Sequence, residues 1–318
     1  MEDISIDILL PTYNGEKFIG EQIESVLNQS VKNWRLLVKD DGSSDKTIYI
    51  VKDYTVRYPQ KIIFIEDDKN HLGACQSFGQ LLNYSTADYI KFCDQDDVWF
   101  PNKIEMTLDR MSELEKLYYD KPILVHTDVK VVDKNLSTLS GSFWRYQRVN
   151  PDRKNLNHLL IQNNVTGCSM MVNRKLKEMS LPIPHEAIMY DWWMALVASA
   201  FGIIEYVNEP TLFYRQHEKS DTGAKKYSGW FFLSRMNKTN QSWGSVKKAV
   251  RQGKAFKERF KDKLGDQQLE IVGNFTHLLE VNRFKRLLLL SKYNLKKYGI
   301  LRNLGFFIIM WLYRDKNE

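Results

Sequence analysis

Three carboxylates, Asp94, Asp96 and Asp97, crowd together directly after the apolar run Tyr89-Ile90-Lys91-Phe92-Cys93. Like charges this close repel unless a cation or hydrogen-bond donors offset them, and hard oxygen ligands suit Mg²⁺ or Mn²⁺ carrying a phosphate. The competing reading is a solvated acidic turn. A second acidic stretch, Asp40-Asp41-Gly42-Ser43-Ser44-Asp45, contains an ordinary helix cap at Ser44 or Asp45. Capping does not require Asp40 or Asp41, and a carboxylate at a strand end can accept the imide N–H of uracil or thymine. Asp191 precedes Trp192 and Trp193. Read from these residues alone, it is a helix cap beside core aromatics. Arg215 and His217, in Tyr214-Arg215-Gln216-His217, can neutralise a diphosphate leaving group, although a lone His is more often structural.

These residues need a scaffold that collects them. The runs Ile4 to Leu10, Arg35 to Val38, Ile62 to Ile65, Tyr89 to Cys93 and Ile123 to Val125 are short, β-branched or aromatic, and bounded by polar residues, which is the strand pattern. Between them, Glu16 to Gln29 and Asp45 to Tyr58 place apolar residues on one helical face. Strands alternating with helices predict a mostly parallel sheet flanked by helices, with ligands at the carboxyl ends of the strands. Four strand ends supply polar residues there: Pro11-Thr12-Tyr13-Asn14, Asp40 to Asp45, Asp67 to Gly73, and Asp94 to Asp97. Further on, a strand is expected at Ser169 to Val172 and a helix near Asp191 to Phe201, before a helical tail from about Gly229.

Composition bounds the rest. The 318 residues are 43% hydrophobic and 27% charged, enough for a large core and too apolar for disorder. Cys75, Cys93 and Cys168 are odd in number and widely spaced, which predicts no disulfide framework and a reducing compartment. The acidic start MEDISIDILL lacks the positive flank of a secretion signal, so a cytoplasmic location is expected. Net charge is −9 over residues 1–120, +2 over 121–222 and +14 over 223–318. The basic tail suits an anionic surface. Its cations alternate with apolar runs such as Leu287 to Leu290 and Phe306 to Leu312, which favours a membrane surface over nucleic acid. Neither run is long enough to span a bilayer, so the tail is expected to lie on it. Nicotinamide and P-loop chemistry lack their glycine motifs. A haloacid-dehalogenase-like phosphatase, with Asp94 as nucleophile, is an alternative reading of DQDDV, and a non-catalytic membrane scaffold is another.

In order and spacing, DILLPTYNGEKFI, SVLNQ, VKDDGSSDKT, NHLGACQSF and ADYIKFCDQDDVWFPNKIE resemble the nucleotide-sugar-binding half of a family 2 glycosyltransferase of the GT-A fold. The resemblance implies a catalytic domain over 1–222, with a nucleotide-sugar half to about 125 and an acceptor half after it. Residues 223–318 then form a helical element for membrane docking or dimerisation. It implies a sugar nucleotide held by Pro11, Thr12, Tyr13, Asn14, Asp41, Gly73, Asp96 and Arg215, and Mn²⁺ or Mg²⁺ held by Asp96, Asp97 and His217. Asn164 to Met170 resembles the acceptor-side strand, with Gly167 allowing close approach of the sugar, and Tyr190-Asp191-Trp192-Trp193 resembles the segment of the catalytic base. Asp191 is accordingly expected to be the base of an inverting transfer, and Gly167, Trp192 and Trp193 to contact the acceptor. The ensemble of DQDDVW, GCSMMVN, DWW and YRQH is most similar to rhamnosyltransferases of bacterial cell-wall or capsular polysaccharide synthesis. That implies dTDP-L-rhamnose as donor, a lipid-linked glycan acceptor and a peripheral place on the inner face of the plasma membrane.

Overall fold

The computed structural model describes residues 4–217 and 239–313. The expected boundary at 222/223 and the start of the tail near Gly229 lie outside them. The chain begins with alternating units: β1 (Ile6–Thr12), α1 (Ile19–Leu27), β2 (Trp34–Asp40), α2 (Thr47–Arg57), β3 (Ile62–Phe64), α3 (Gly73–Tyr84) and β4 (Tyr89–Phe92). Next come β5 (Val98–Trp99), α4 (Lys103–Leu117), β6 (Ile123–Val132), β7 (Thr138–Ser140), α5 (Phe143–Gln147) and α6 (Leu156–Leu159). They are followed by β8 (Met171–Asn173), α7 (Arg174–Ser180), α8 (Tyr190–Phe201) and β9 (Ile203–Arg215). Four helices follow the undescribed stretch: α9 (Thr239–Phe260), α10 (Asp266–Thr276), α11 (Arg283–Lys292) and α12 (Ile300–Leu312).

The sheet order is β3-β2-β1-β4-β8-β6-β9-β5, with β7 on β6. Its first four strands are parallel, as the alternating pattern implies. Ile8, Leu9 and Leu10 of β1 are wholly buried, and each such aliphatic side chain contributes about 1.5–3 kcal/mol through burial. Parallel registers bring the ends of β1, β2 and β4 to one edge, with Thr12 beside Asp40. The remainder of the sheet is mixed. β8 runs antiparallel to both β4 and β6, pairing Lys91 with Met171, so the residues just before it reach past the end of β4 toward Asp94. β5 pairs antiparallel with β9, Val98 opposite Phe213, and this carries Arg215 back to the acidic loop.

The tail is not a separate appendage. Phe256 and Phe260 of α9 pack on Trp193 of α8, with ring centroids 5.8 and 6.2 Å apart, inside one hydrophobic cluster that also contains Phe92 of β4. Of the cations expected to face a membrane, Lys254 pairs with Glu280 and Lys261 with Glu258. Arg259 donates to the carbonyls of Ser180, Leu181 and Pro182. Arg259 therefore fastens α9 to the catalytic portion, while Lys254 and Lys261 pair within the tail. All three cysteines are free.

Candidate active site

A cavity of about 2270 Å³ opens at the strand-end edge. Pro11, Thr12, Tyr13, Asn14, Asp41 and Gly73 line its floor, Asp94, Asp96, Arg215 and His217 another part, and Gly167, Asp191 and Trp192 a third. The structure thus brings most of the sequence-derived site together. Two expected residues stand elsewhere. Trp193 is 0% exposed and its indole N–H donates to Ser180 O at 3.0 Å. Adjacent helix residues point about 100° apart, so Trp192 faces the cavity while Trp193 enters the core. Asp97, assigned above to the metal, also lies outside the cavity wall: it is 1% exposed, and one oxygen accepts the Arg215 amide at 3.2 Å.

The nucleotide-side loops hold one another. Both oxygens of Asp41 accept backbone amides, from Leu72 at 2.9 Å and Gly73 at 2.8 Å, so this carboxylate fixes the loop before α3. Asp40 accepts Thr12 Oγ1 and the amides of Gly42 and Ser43, a local turn and not a ligand contact. Gly42 adopts φ +93° against the His71 ring, a conformation that side chains other than glycine's rarely take. Asn14 Oδ1 accepts the amide of Ser44, tying the first two strand ends together. The expectations had no place for Gln95. Its amide accepts the Tyr13 N–H and donates to the Tyr13 carbonyl, both at 2.9 Å, latching the loop after β1 to the acidic loop. Its position inside DQDD was the only sequence signal.

The acidic loop meets the end of β9. His217 Nε2 lies 2.6 Å from Asp96 Oδ2, and the imidazole stacks on Phe18. Arg215 is buried, donates to the carbonyls of Asp96 and Lys134, pairs with Glu21 and covers the Phe18 ring. It supports the acidic loop from behind. Burial, reinforced by Asp96 and Asp191, pushes the Asp94 carboxyl up to about 7, and burial beside Asp96 and Asp94 raises Asp97 as well.

Whether these residues fit a divalent cation can be tested on their donor atoms. Ligand atoms of Asp94, Asp97 and Cys168 lie within 4.8 Å of one another, and Asp97 Oδ2 is buried without a hydrogen-bond partner. Burial also raises the Cys168 thiol well above its ordinary value, and a protonated thiol is a poor ligand for Mg²⁺ or Mn²⁺. Asp94 and Asp96 offer hard oxygens to the cavity itself, with His217 adjoining. By their hard-oxygen chemistry the carboxylates of Asp94 and Asp96 suit such an ion on the cavity side.

Asp191 is the second residue of α8, whose N-cap position is taken by Met189 without a side-chain capping bond. The carboxylate is buried, and this desolvation pushes it up to about 7 although the amides of Trp192 and Gly167 and the Asn163 side chain bond to it. A Cβ on Gly167 would collide with the Tyr190 hydroxyl and touch Asp191, so glycine is what lets the segment before β8 approach α8. Trp192 is anchored by its indole N–H on Leu159 O at 2.6 Å. A carboxyl with pKa near neutrality on a cavity wall is suited to general base work.

The family model described as Glycosyl transferase family 2 matches residues 7–179. The chain is 30% identical over 194 residues to UDP-Glc:alpha-D-GlcNAc-diphosphoundecaprenol beta-1,3-glucosyltransferase WfgD of Escherichia coli, covering 60% of this chain and 70% of that enzyme. It is 25% identical over 229 residues to the dTDP-rhamnosyl transferase RfbG of Shigella flexneri, covering 68% and 74%. Among solved structures, S. aureus TarS 1–349 in complex with UDP-GlcNAc superposes with a TM-score of 0.53 at 15% identity, over 96% of this chain and 90% of that one. The mannosyltransferase PcManGT from Pyrobaculum calidifontis, in complex with GDP-Man and Mn²⁺, gives 0.51 at 13% identity, over 95% and 78%.

Proposed function

The chain belongs to glycosyltransferase family 2 and has its GT-A fold, and on that premise we propose that it transfers a sugar, with inversion, from a nucleoside diphosphate to a lipid-linked saccharide in bacterial surface polysaccharide synthesis. The observation that carries the reading is that Asp191, near neutral in pKa, shares one cavity with Asp94 and Asp96. Asp191 takes the proton of an acceptor hydroxyl as that oxygen attacks the anomeric carbon. The bond from that carbon to the phosphate oxygen breaks, and the nucleoside diphosphate leaves with the electron pair. Asp94 and Asp96 would hold Mn²⁺ or Mg²⁺, with His217 orienting Asp96. When bound, such an ion offsets charge on the diphosphate. Tyr13, half exposed beside His71, offers a ring on which a base can stack, and Trp192 presents an indole to the acceptor.

Two donors follow from the relatives: dTDP-L-rhamnose from the likeness to RfbG, and UDP-glucose from the likeness to WfgD. The acceptor named for WfgD, a sugar on diphosphoundecaprenol, is the model for a lipid-linked acceptor here. The test is a panel of dTDP-, UDP- and GDP-sugars with Mn²⁺ or Mg²⁺, read by released nucleoside diphosphate. Release from one dTDP- or UDP-sugar, raised by acceptor, supports the reading; indifference to every sugar nucleotide sinks it.

A further inference from the structure

The final helix has two apolar sides. Phe306, Met310 and Tyr313 at its C-terminal end point into the core. On the far side Ile300 is 88% exposed and Leu304 54%, with Leu301 and Leu312 also open to solvent. Helix α11 adds Phe284 at 72% and Leu288 at 66%, one turn apart. The Phe284 ring meets Trp311 of α12 edge-on at 5.1 Å, so the two helices present one continuous apolar face.

The sequence that forms this face carries charge of a single sign. From Val281 to Tyr313 the sequence contains seven cations, Arg283, Lys285, Arg286, Lys292, Lys296, Lys297 and Arg302, and no Asp or Glu. Arg286 is internal, spanning the carbonyls of Leu278, Met310 and Tyr313, and Lys292 pairs with Glu270 of α10. Arg283 and Lys285 are exposed beside Phe284. α12 also belongs to the cavity, since Gly305, Ile308, Ile309 and Leu312 line it.

We propose that the α11–α12 face docks on an anionic lipid bilayer, with Phe284, Leu288, Ile300 and Leu304 entering the headgroup boundary and Arg283 and Lys285 on lipid phosphates. The proposal rests on the lipid-linked acceptor read above and gives the enzyme an orientation: the helix that seats on the bilayer is a wall of the catalytic cavity. Charge favours this occupant over a second copy of the chain. A two-fold contact would set the same cationic patch against itself, whereas an anionic leaflet complements it. At thirteen residues α12 is about 20 Å long, too short to cross a bilayer, and none of the described helices is long and apolar enough to do so.

The test is co-sedimentation of the full chain with vesicles of phosphatidylcholine alone or mixed with phosphatidylglycerol, without donor or acceptor. Binding is expected only with phosphatidylglycerol, weakening as salt rises. Joint Ile300→Asp and Leu304→Asp substitution should lower the apparent affinity roughly tenfold or more, with thermal unfolding and nucleotide release on a soluble acceptor unchanged. Arg283→Glu with Lys285→Glu should remove most of the salt dependence. Failure of the wild type to bind at low salt, or equal binding by the aspartate variant, overturns the proposal. A dimer in sedimentation equilibrium that the aspartate variant dissociates, without vesicle binding, assigns the face to a second copy instead. Failure of the donor panel, by contrast, leaves vesicle binding standing and removes only the catalytic reading.

Discussion

His217 Nε2 lies 2.6 Å from Asp96 Oδ2, joining the end of β9 to the acidic loop across 121 residues of sequence. The contact gives the loop a partner independent of any ion, and the Arg215 amide two residues earlier holds Asp97 away from the cavity. Asp94→Asn and Asp96→Asn should each abolish metal-stimulated donor binding, because an amide lacks the charge a divalent ion needs. Asp97→Asn should retain it, since that side chain does not line the cavity. Titration calorimetry of Mn²⁺ with a nucleoside diphosphate separates the three. Loss in Asp97→Asn alone would transfer the metal role to the buried cluster.

Asp191→Asn should reduce turnover by roughly 10²- to 10⁴-fold while leaving donor affinity nearly unchanged. A base must be deprotonated to act. With Asp191 raised to about 7, turnover should climb about tenfold per pH unit up to pH 7 and level off above it. Wild-type turnover that is flat from pH 5.5 to 8 would remove Asp191 from the role.

Phe256→Ala should destabilise the whole chain by about 3–5 kcal/mol, the usual cost of emptying a buried aromatic site. Its ring is fully buried against Trp193 and Phe201. Urea unfolding followed by tryptophan fluorescence and by circular dichroism should give one coincident transition for tail and catalytic portion. Two transitions would mean that the tail folds separately. Truncation before α9 is expected to leave an insoluble product, since it bares Trp193.

Burial holds the His126 imidazole down to about 3. The folded state therefore stays neutral there while the unfolded chain takes up a proton below about pH 6.5. Stability from this residue is complete above 6.5 and falls by up to about 1.4 kcal/mol per unit as the pH drops from 6.5 toward 3. His126→Phe should flatten part of that acid limb in urea midpoints measured between pH 7 and 4. An unchanged slope would assign acid sensitivity to other groups, His158 among them.

The parallel half of the sheet was legible because each of its strands is a short apolar run with polar residues at its carboxyl end, and such ends must meet once the strands pair in parallel. Asp41, Asp94 and Asp96 could be placed at the cavity for that reason, whereas Asp191, in the first turn of α8, was marked only by the resemblance of its segment. Side-chain direction within a loop or a helix turn was not legible. Asp96 and Asp97 are consecutive, as are Trp192 and Trp193, and only the packing of β9 and α9 decides which of each pair is covered. The four leucines Leu287 to Leu290 show the same limit: Leu289 and Leu290 are buried while Leu288 is exposed. Gln95 carried no charge pattern to mark it, and the antiparallel insertion of β8 depends on pairings made far along the chain.

Asp191, Trp192 and Trp193 occupy three consecutive positions of α8, the first two on the cavity and the third against Phe256 and Phe260. Base and acceptor platform are thus mounted on the surface that receives the tail. A chimaera that imports residues 239–313 from a relative, without also importing Tyr190 to Phe201, would seat foreign aromatics on the native Trp193 and tilt the base with it. Residues 190–201 and the helices after 238 therefore form one heritable unit. Recombination between family members should preserve activity when its crossover lies before α8 and destroy it when the crossover separates α8 from α9.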